Sequence, residues 1–208
     1  MICSSQIGIL AYGSLRDNPN CEIEPLIVRR IPAKTPFPVE FARLSTSRGG
    51  APTVVPHRAG KPVNAEILVL AGSVALGEAK SLLYRREVHK EGSGLAYQER
   101  TKRNAVLIRD EPAFHGIDHV LYTDFREAAK ISQPDPRLLA EAAVASLSEA
   151  KKGEDGISYL LGFINSGGET SLTQQYRERI LATTGAKSLE DVLQCAIPSV
   201  SERMGANT

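Results

Sequence analysis

Gln6-Ile7-Gly8-Ile9-Leu10-Ala11-Tyr12-Gly13-Ser14-Leu15 is the stretch on which the fold turns. Its apolar run is short and stops at glycine, the pattern of a buried strand feeding a tight loop. Glycine permits the turn and the close approach of a ligand. A strand ending this way presents consecutive backbone N–H groups beside a hydroxyl, and such a turn can hold a carboxylate or a developing oxyanion. On these residues alone, a Gly-Ser turn after a strand reads first as a plain connection.

Working outward, a segment containing proline and basic residues runs to about Pro38. Residues 39–44 and 53–55 read as strands around the polar loop Ser45-Thr46-Ser47-Arg48-Gly49-Gly50, and 63–70 alternates weakly (Val63, Ala65, Ile67, Val69). Ser73 is placed to cap a helix reaching about Arg85, because Val74, Leu76, Ala79, Leu82 and Leu83 recur at helical spacing. The stretch 90–94 breaks that pattern. Residues 104–108 and 118–122 read as two more strands, joined by a loop containing Pro112 and Gly116. From Pro136 onward helices dominate, over 136–152, 157–165, 172–183 and 188–195, with Gly153, Gly156, Gly167, Gly168 and Gly185 as punctuation. Strands first and helices last predicts an α+β protein, not a repeating βαβ sheet. The chain has no internal repeat, heptad run or low-complexity tract, and the polar tail 199–208 reads as frayed.

The 208 residues suffice for one substantial domain, or for one domain with a helical appendage. With 42% apolar and 24% charged residues, a folded core is favoured over disorder. The formal net charge of +1 gives no electrostatic reason to expect nucleic acid or an anionic membrane as a partner. Cys3, Cys21 and Cys195 are widely spaced and odd in number, which predicts reduced thiols in a cytosolic protein and neither a disulfide framework nor a zinc site. No signal peptide is evident, and no stretch approaches the roughly 18 apolar residues of a membrane span, so a soluble cytoplasmic protein is expected.

Several chemistries drop out on motif grounds. No Gly-rich run ends in Gly-Lys-Ser/Thr, and Gly13-Ser14-Leu15 lacks the second glycine of a nucleophile elbow. His115 and His119 stand four apart in a predicted loop and strand, without a His-Glu-x-x-His pattern, so a metal site is not expected. Among the carboxylates, Glu87 ends the apolar face Leu82-Leu83-Tyr84. Tucked into a pocket, such a carboxyl has a raised pKa and can shuttle a proton near neutral pH. From the residues alone it reads first as a surface glutamate balanced by Arg85 and Arg86. Glu91 and Glu99 compete with it from stretches that look more exposed.

Taken in order, these pieces resemble the γ-glutamylcyclotransferase family. Tyr12-Gly13-Ser14-Leu15 is similar to the loop that follows the first strand of that family, and Glu87 to the glutamate after a downstream helix. The segment Phe41-Ala42-Arg43-Leu44-Ser45-Thr46-Ser47-Arg48-Gly49-Gly50-Ala51-Pro52 resembles the Phe…Ser…Arg-Gly…Pro stretch of the glutathione-degrading ChaC branch. Leu83 to Val88 and Tyr97-Gln98-Glu99-Arg100 echo two further motifs of that branch. The likeness spans roughly residues 6 to 122; the branch's tryptophan after the first loop is absent, and the gap from Glu87 to Tyr97 is longer.

The resemblance implies a mixed β-barrel with flanking helices over residues 1–130, and a helical C-terminal extension over 131–208 packed on the same domain. That extension has two open roles, covering one side of the barrel or forming a homodimer contact. The implied reaction is internal cyclisation of a γ-glutamyl amide to 5-oxoproline and a free amine, with Glu87 as general acid/base. Tyr12, Gly13, Ser14, Leu15, Ser45 and Tyr97 are the implied substrate contacts, and no metal or organic cofactor is required. The small-molecule substrate stays open between glutathione and another γ-glutamyl compound. Two other readings also stay open: a non-catalytic relative of the same fold, and an amidohydrolase in which water replaces the internal amine.

Overall fold

The computed structural model describes residues 5–196; the expectations for Cys3 and for the 199–208 tail lie outside the described residues. In chain order the elements are β1 (Ile7–Ala11), α1 (Ser14–Asp17), β2 (Ile27–Lys34), β3 (Val39–Ser45), β4 (Ala51–Pro56), β5 (Asn64–Leu70), α2 (Leu76–Glu87), β6 (Val106–Phe114), β7 (Ile117–Phe125), α3 (Pro136–Ala145), α4 (Gly156–Asn165), α5 (Thr173–Thr184) and α6 (Leu189–Ala196). The protein is α+β.

All five residues of β1 are buried, because the strand lies mid-sheet in the order β2-β5-β1-β7-β6. It pairs antiparallel with β5 (Ile9 opposite Leu68) and parallel with β7 (Ile9 opposite Leu121). Alternation sends Ile7, Ile9 and Ala11 to the face covered by α2 through Leu82 and Leu83, while Leu10 joins Ile67 and Val120 on the other. Gly8 is the residue that lets β5 come close, since a Cβ there would stand 2.6 Å from Ile67 Cγ2. Among the described residues no ladder joins edge strand β2 to edge strand β6, and β3–β4 form a separate two-stranded sheet. The expected barrel is therefore not closed; the sheet is open and mixed.

Both edges carry prolines that conceal strands in the sequence. Pro32 lies within β2, in the proline-containing basic segment before Pro38, and Pro112 lies within β6, where the sequence predicts a loop. A proline removes one ladder donor, and only an edge strand tolerates that loss cheaply. The α2 helix begins at Leu76, and its N-cap, Ala75, makes no side-chain capping bond. Ser73 is therefore not its cap.

Helices α3 to α6 build a second layer. Asp155 caps α4 by accepting from the N–H groups of Ile157 and Ser158, both at 2.8 Å. The helix expected over 136–152 stops at Ala145 and continues as a 3₁₀ turn. Ser146 Oγ donates to Ala143 O at 2.7 Å and accepts from Gly156 N at 2.8 Å, so the side chain bridges the break. The layer is not a separate body, because Val39, Phe41 and Val54 of the β3–β4 pair share one core with Leu139, Leu160, Phe163 and Tyr176. Phe41 alone meets Phe163 at 5.4 Å and Tyr176 at 5.1 Å between ring centroids. Glu40 beside it is fully buried, and its two oxygens accept from Phe41 N (2.8 Å) and Leu172 N (3.1 Å).

Candidate functional site

The end of β1, the end of α2, the β3–β4 pair and α4 surround a cavity with two adjoining compartments. The inner one, about 60 Å³, reaches Leu10, Tyr12, Leu15, Val55 and Thr123. The outer one, about 200 Å³, is bordered by Arg43, Ser45, Arg48, Thr53 and Glu91 among others. Ser14, Val54, Arg86, Glu87, Phe125 and Tyr159 line both.

Gly13 makes the turn out of β1 at φ +57°, ψ −142°, a conformation that side-chain-bearing residues rarely adopt. A Cβ there would stand 3.0 Å from the Tyr159 hydroxyl, so the loop also needs the empty space. Ser14 opens α1, whose first turn supplies no intrahelical acceptors for the leading N–H groups. Glu87 is the last residue of α2 and is held by Arg86 Nη1 at 2.7 Å. The other arm of the same guanidinium donates to Ser14 Oγ at 3.2 Å and to Asn18 O at 3.1 Å. Arg86 thus ties the carboxylate to the Tyr12–Leu15 loop across the cavity. Arg85 does not help balance Glu87: it turns away to Glu22 (3.0 Å) and Glu78 (2.9 Å).

Burial pushes the Tyr12 hydroxyl pKa well above its ordinary value, and the Tyr159 hydroxyl and Glu87 carboxylate push it the same way. Burial likewise raises Tyr159. Both phenols therefore stay protonated near neutral pH and act as hydrogen-bond donors. Tyr159 OH itself accepts from Val54 N at 3.4 Å. At the inner end, Thr123 Oγ1 is shielded from bulk solvent and has no hydrogen-bond partner.

Of the residues singled out from the sequence, Tyr12, Ser14, Leu15, Ser45 and Glu87 line the cavity and Gly13 shapes it. Tyr97 does not belong there. Its ring packs on Tyr84 at 5.4 Å and its hydroxyl accepts from Ile108 N at 3.0 Å, so it anchors the segment after α2 to the sheet. Glu91 sits exposed at the outer rim, and Glu99 lies elsewhere on the surface between Arg109 and Arg126. His119 pairs with Asp110 at 2.7 Å, away from His115 at the β6–β7 turn. Among the described residues, no cluster of His, Cys, Asp and Glu is arranged for a metal, and no helix is long and apolar enough to cross a membrane.

The sequence reading missed the site roles of Arg43, Arg48, Arg86, Thr123, Phe125 and Tyr159. Arg43 is hidden by a bulge between Phe41 and Arg43 in the β3–β4 register. The bulge brings both Ala42 and the Arg43 guanidinium, 4.0 Å from the ring centroid, against Phe125. Strict alternation would have put Arg43 on the same side as Phe41. Tyr159 comes from a helical segment with no motif of its own. No family model matches the chain, and neither a curated protein nor a solved structure matches it.

Proposed function

We propose that the chain is an enzyme of the γ-glutamylcyclotransferase type, built on an open variant of that family's fold. The observation that carries the reading is Glu87 facing the Tyr12–Leu15 loop across a partly open compartment, with Arg86 bridging the two. A turn, a carboxylate and a pocket are ordinary features singly. Their convergence from residues some seventy positions apart is what a cyclisation site requires.

The reaction needs little beyond folding the substrate back on itself. The Glu87 carboxylate takes a proton from the α-ammonium of the γ-glutamyl group. The freed amine attacks the γ-carbonyl carbon, the new C–N bond closes a five-membered ring, and the old amide C–N bond breaks. Glu87 returns the proton to the departing nitrogen and takes a second one from the ring nitrogen, which passes to the released amine, leaving 5-oxoproline and the amine as its ammonium. Backbone N–H groups of Gly13, Ser14 and Leu15 hold the substrate carboxylate or carbonyl oxygen. The Tyr159 hydroxyl, which accepts from Val54 N, donates into the same compartment, while the Tyr12 hydroxyl gives its proton to Thr123 O. Arg86 is a positioning residue, since its fork fixes the carboxylate and the loop together.

Incubation of the purified protein with a panel of γ-glutamyl amides, glutathione included, and detection of 5-oxoproline by mass spectrometry tests the reading. Glu87→Gln keeps the cavity's shape and is expected to lower turnover by about 10²-fold or more. Near-wild-type turnover in that variant would overturn the assignment, and free glutamate in place of 5-oxoproline would replace cyclisation with hydrolysis.

A further inference from the structure

The outer compartment holds more positive charge than the chemistry at Glu87 uses. Arg86 is neutralised by Glu87 and spends its other arm on Ser14 and Asn18. Arg43 and Arg48 are different: among the described residues neither guanidinium has a carboxylate or hydrogen-bond partner. Each instead lies against an aromatic ring, Arg43 at 4.0 Å from the Phe125 centroid and Arg48 at 5.4 Å from that of Tyr159. Contact with an aromatic ring constrains a guanidinium while leaving N–H groups free to donate. Burial lowers the Arg43 pKa, with the Glu87 carboxylate opposing that shift; the group stays cationic.

A half-buried guanidinium with no carboxylate in hydrogen-bonding contact is costly, and it persists where a ligand supplies the missing partner. The neighbours suit one: Ser45 and Ser47 hydroxyls, 3.1 Å apart, and Thr53 line the same space. The acidic group left over there, Glu91, is exposed at the rim and lies 3.5 Å from Asn20 Nδ2. Glu87 borders both compartments, so an amide cleaved beside it has its glutamyl half inside and its leaving half among these arginines.

Resting on the cyclotransferase reading, we propose that Arg43 and Arg48 are specificity-determining residues that bind a carboxylate on the leaving amine. They select γ-glutamyl amides of amino acids or short peptides over those of neutral or cationic amines. The discriminating pair is γ-glutamyl-alanine and γ-glutamyl-alaninamide, which differ only in replacing a carboxylate by a neutral amide. Wild-type kcat/KM for 5-oxoproline release is expected to favour the acid by about tenfold to a hundredfold, mainly through KM. In Arg43→Gln and in Arg48→Gln that ratio falls toward one, and Arg43→Lys restores part of it. Urea unfolding of each variant checks that the fold survives.

Calorimetric binding of the same pair to the Glu87→Gln protein separates this proposal from the reading beneath it. A preference for the acid that disappears with Arg43→Gln, in the absence of any 5-oxoproline from wild type, keeps the anion subsite and overturns the cyclotransferase. Turnover of both compounds at equal kcat/KM, or arginine variants that slow both equally, overturns the subsite and leaves the cyclotransferase standing. No binding and no turnover overturns both.

Discussion

Thr123 is the residue whose energetics point away from stability. Its Oγ1 is buried without a partner, so folding gains no hydrogen bond from it. Thr123→Val is therefore expected to leave the urea midpoint equal or slightly raised, and, under the proposed cyclotransferase function, to lower kcat/KM for a γ-glutamyl substrate by about tenfold; an unaltered kcat/KM would remove Thr123 from the site. Legibility at this scale divides by mechanism. Glu87 and the Tyr12–Leu15 loop were singled out on a resemblance in motif order, and both line one cavity. Arg43 was not, because its direction depends on a bulge that no residue type announces. Tyr97 misled for the converse reason: it stands in a motif-like position, yet its hydroxyl serves the Ile108 N–H of β6.

At the scale of elements, Glu40 joins the hairpin to the helical layer by receiving N–H donors from Phe41 and, 132 positions away, Leu172. Burial raises its pKa, and hydrogen bonds from Thr170, Phe41 and Leu172 oppose the rise without cancelling it. A carboxyl raised on folding binds more protons folded than unfolded, so its contribution falls as pH rises from the ordinary carboxylate value through the raised one. Glu40→Gln turns an NH2 group toward one of those donors and is expected to cost about 1–3 kcal/mol in urea unfolding. Wild type's advantage over this variant should widen as pH is lowered through that window toward about 4.3; an advantage that narrows on acidification would contradict the account. The same scale explains why β2 and β6 were misread: proline and arginine are turn and surface signals in a sequence, and only the strands' places at the two sheet edges make them compatible with pairing.

Across the whole molecule, the α+β class followed from the order of strands and helices, and the helices beyond residue 130 share a core with the strands before it. Val39 and Phe41 are fully buried, and their cover comes from α3 to α6. A chain ending at residue 134 should consequently lack a cooperative urea transition, because truncation exposes an aromatic cluster whose loss costs several kcal/mol per large side chain; a sharp transition in that fragment would contradict this dependence on the helical layer. The parallel pairing of β1 with β7 has a consequence during synthesis. Residue 7 leaves the ribosome more than a hundred residues ahead of its register partner, His119, and Tyr159 and Tyr176 follow later still. The nascent chain must therefore carry an unfinished central strand through the synthesis of more than a hundred further residues, open to other chains and to chaperones, and the pocket acquires its α4 wall only after both sheets have been made.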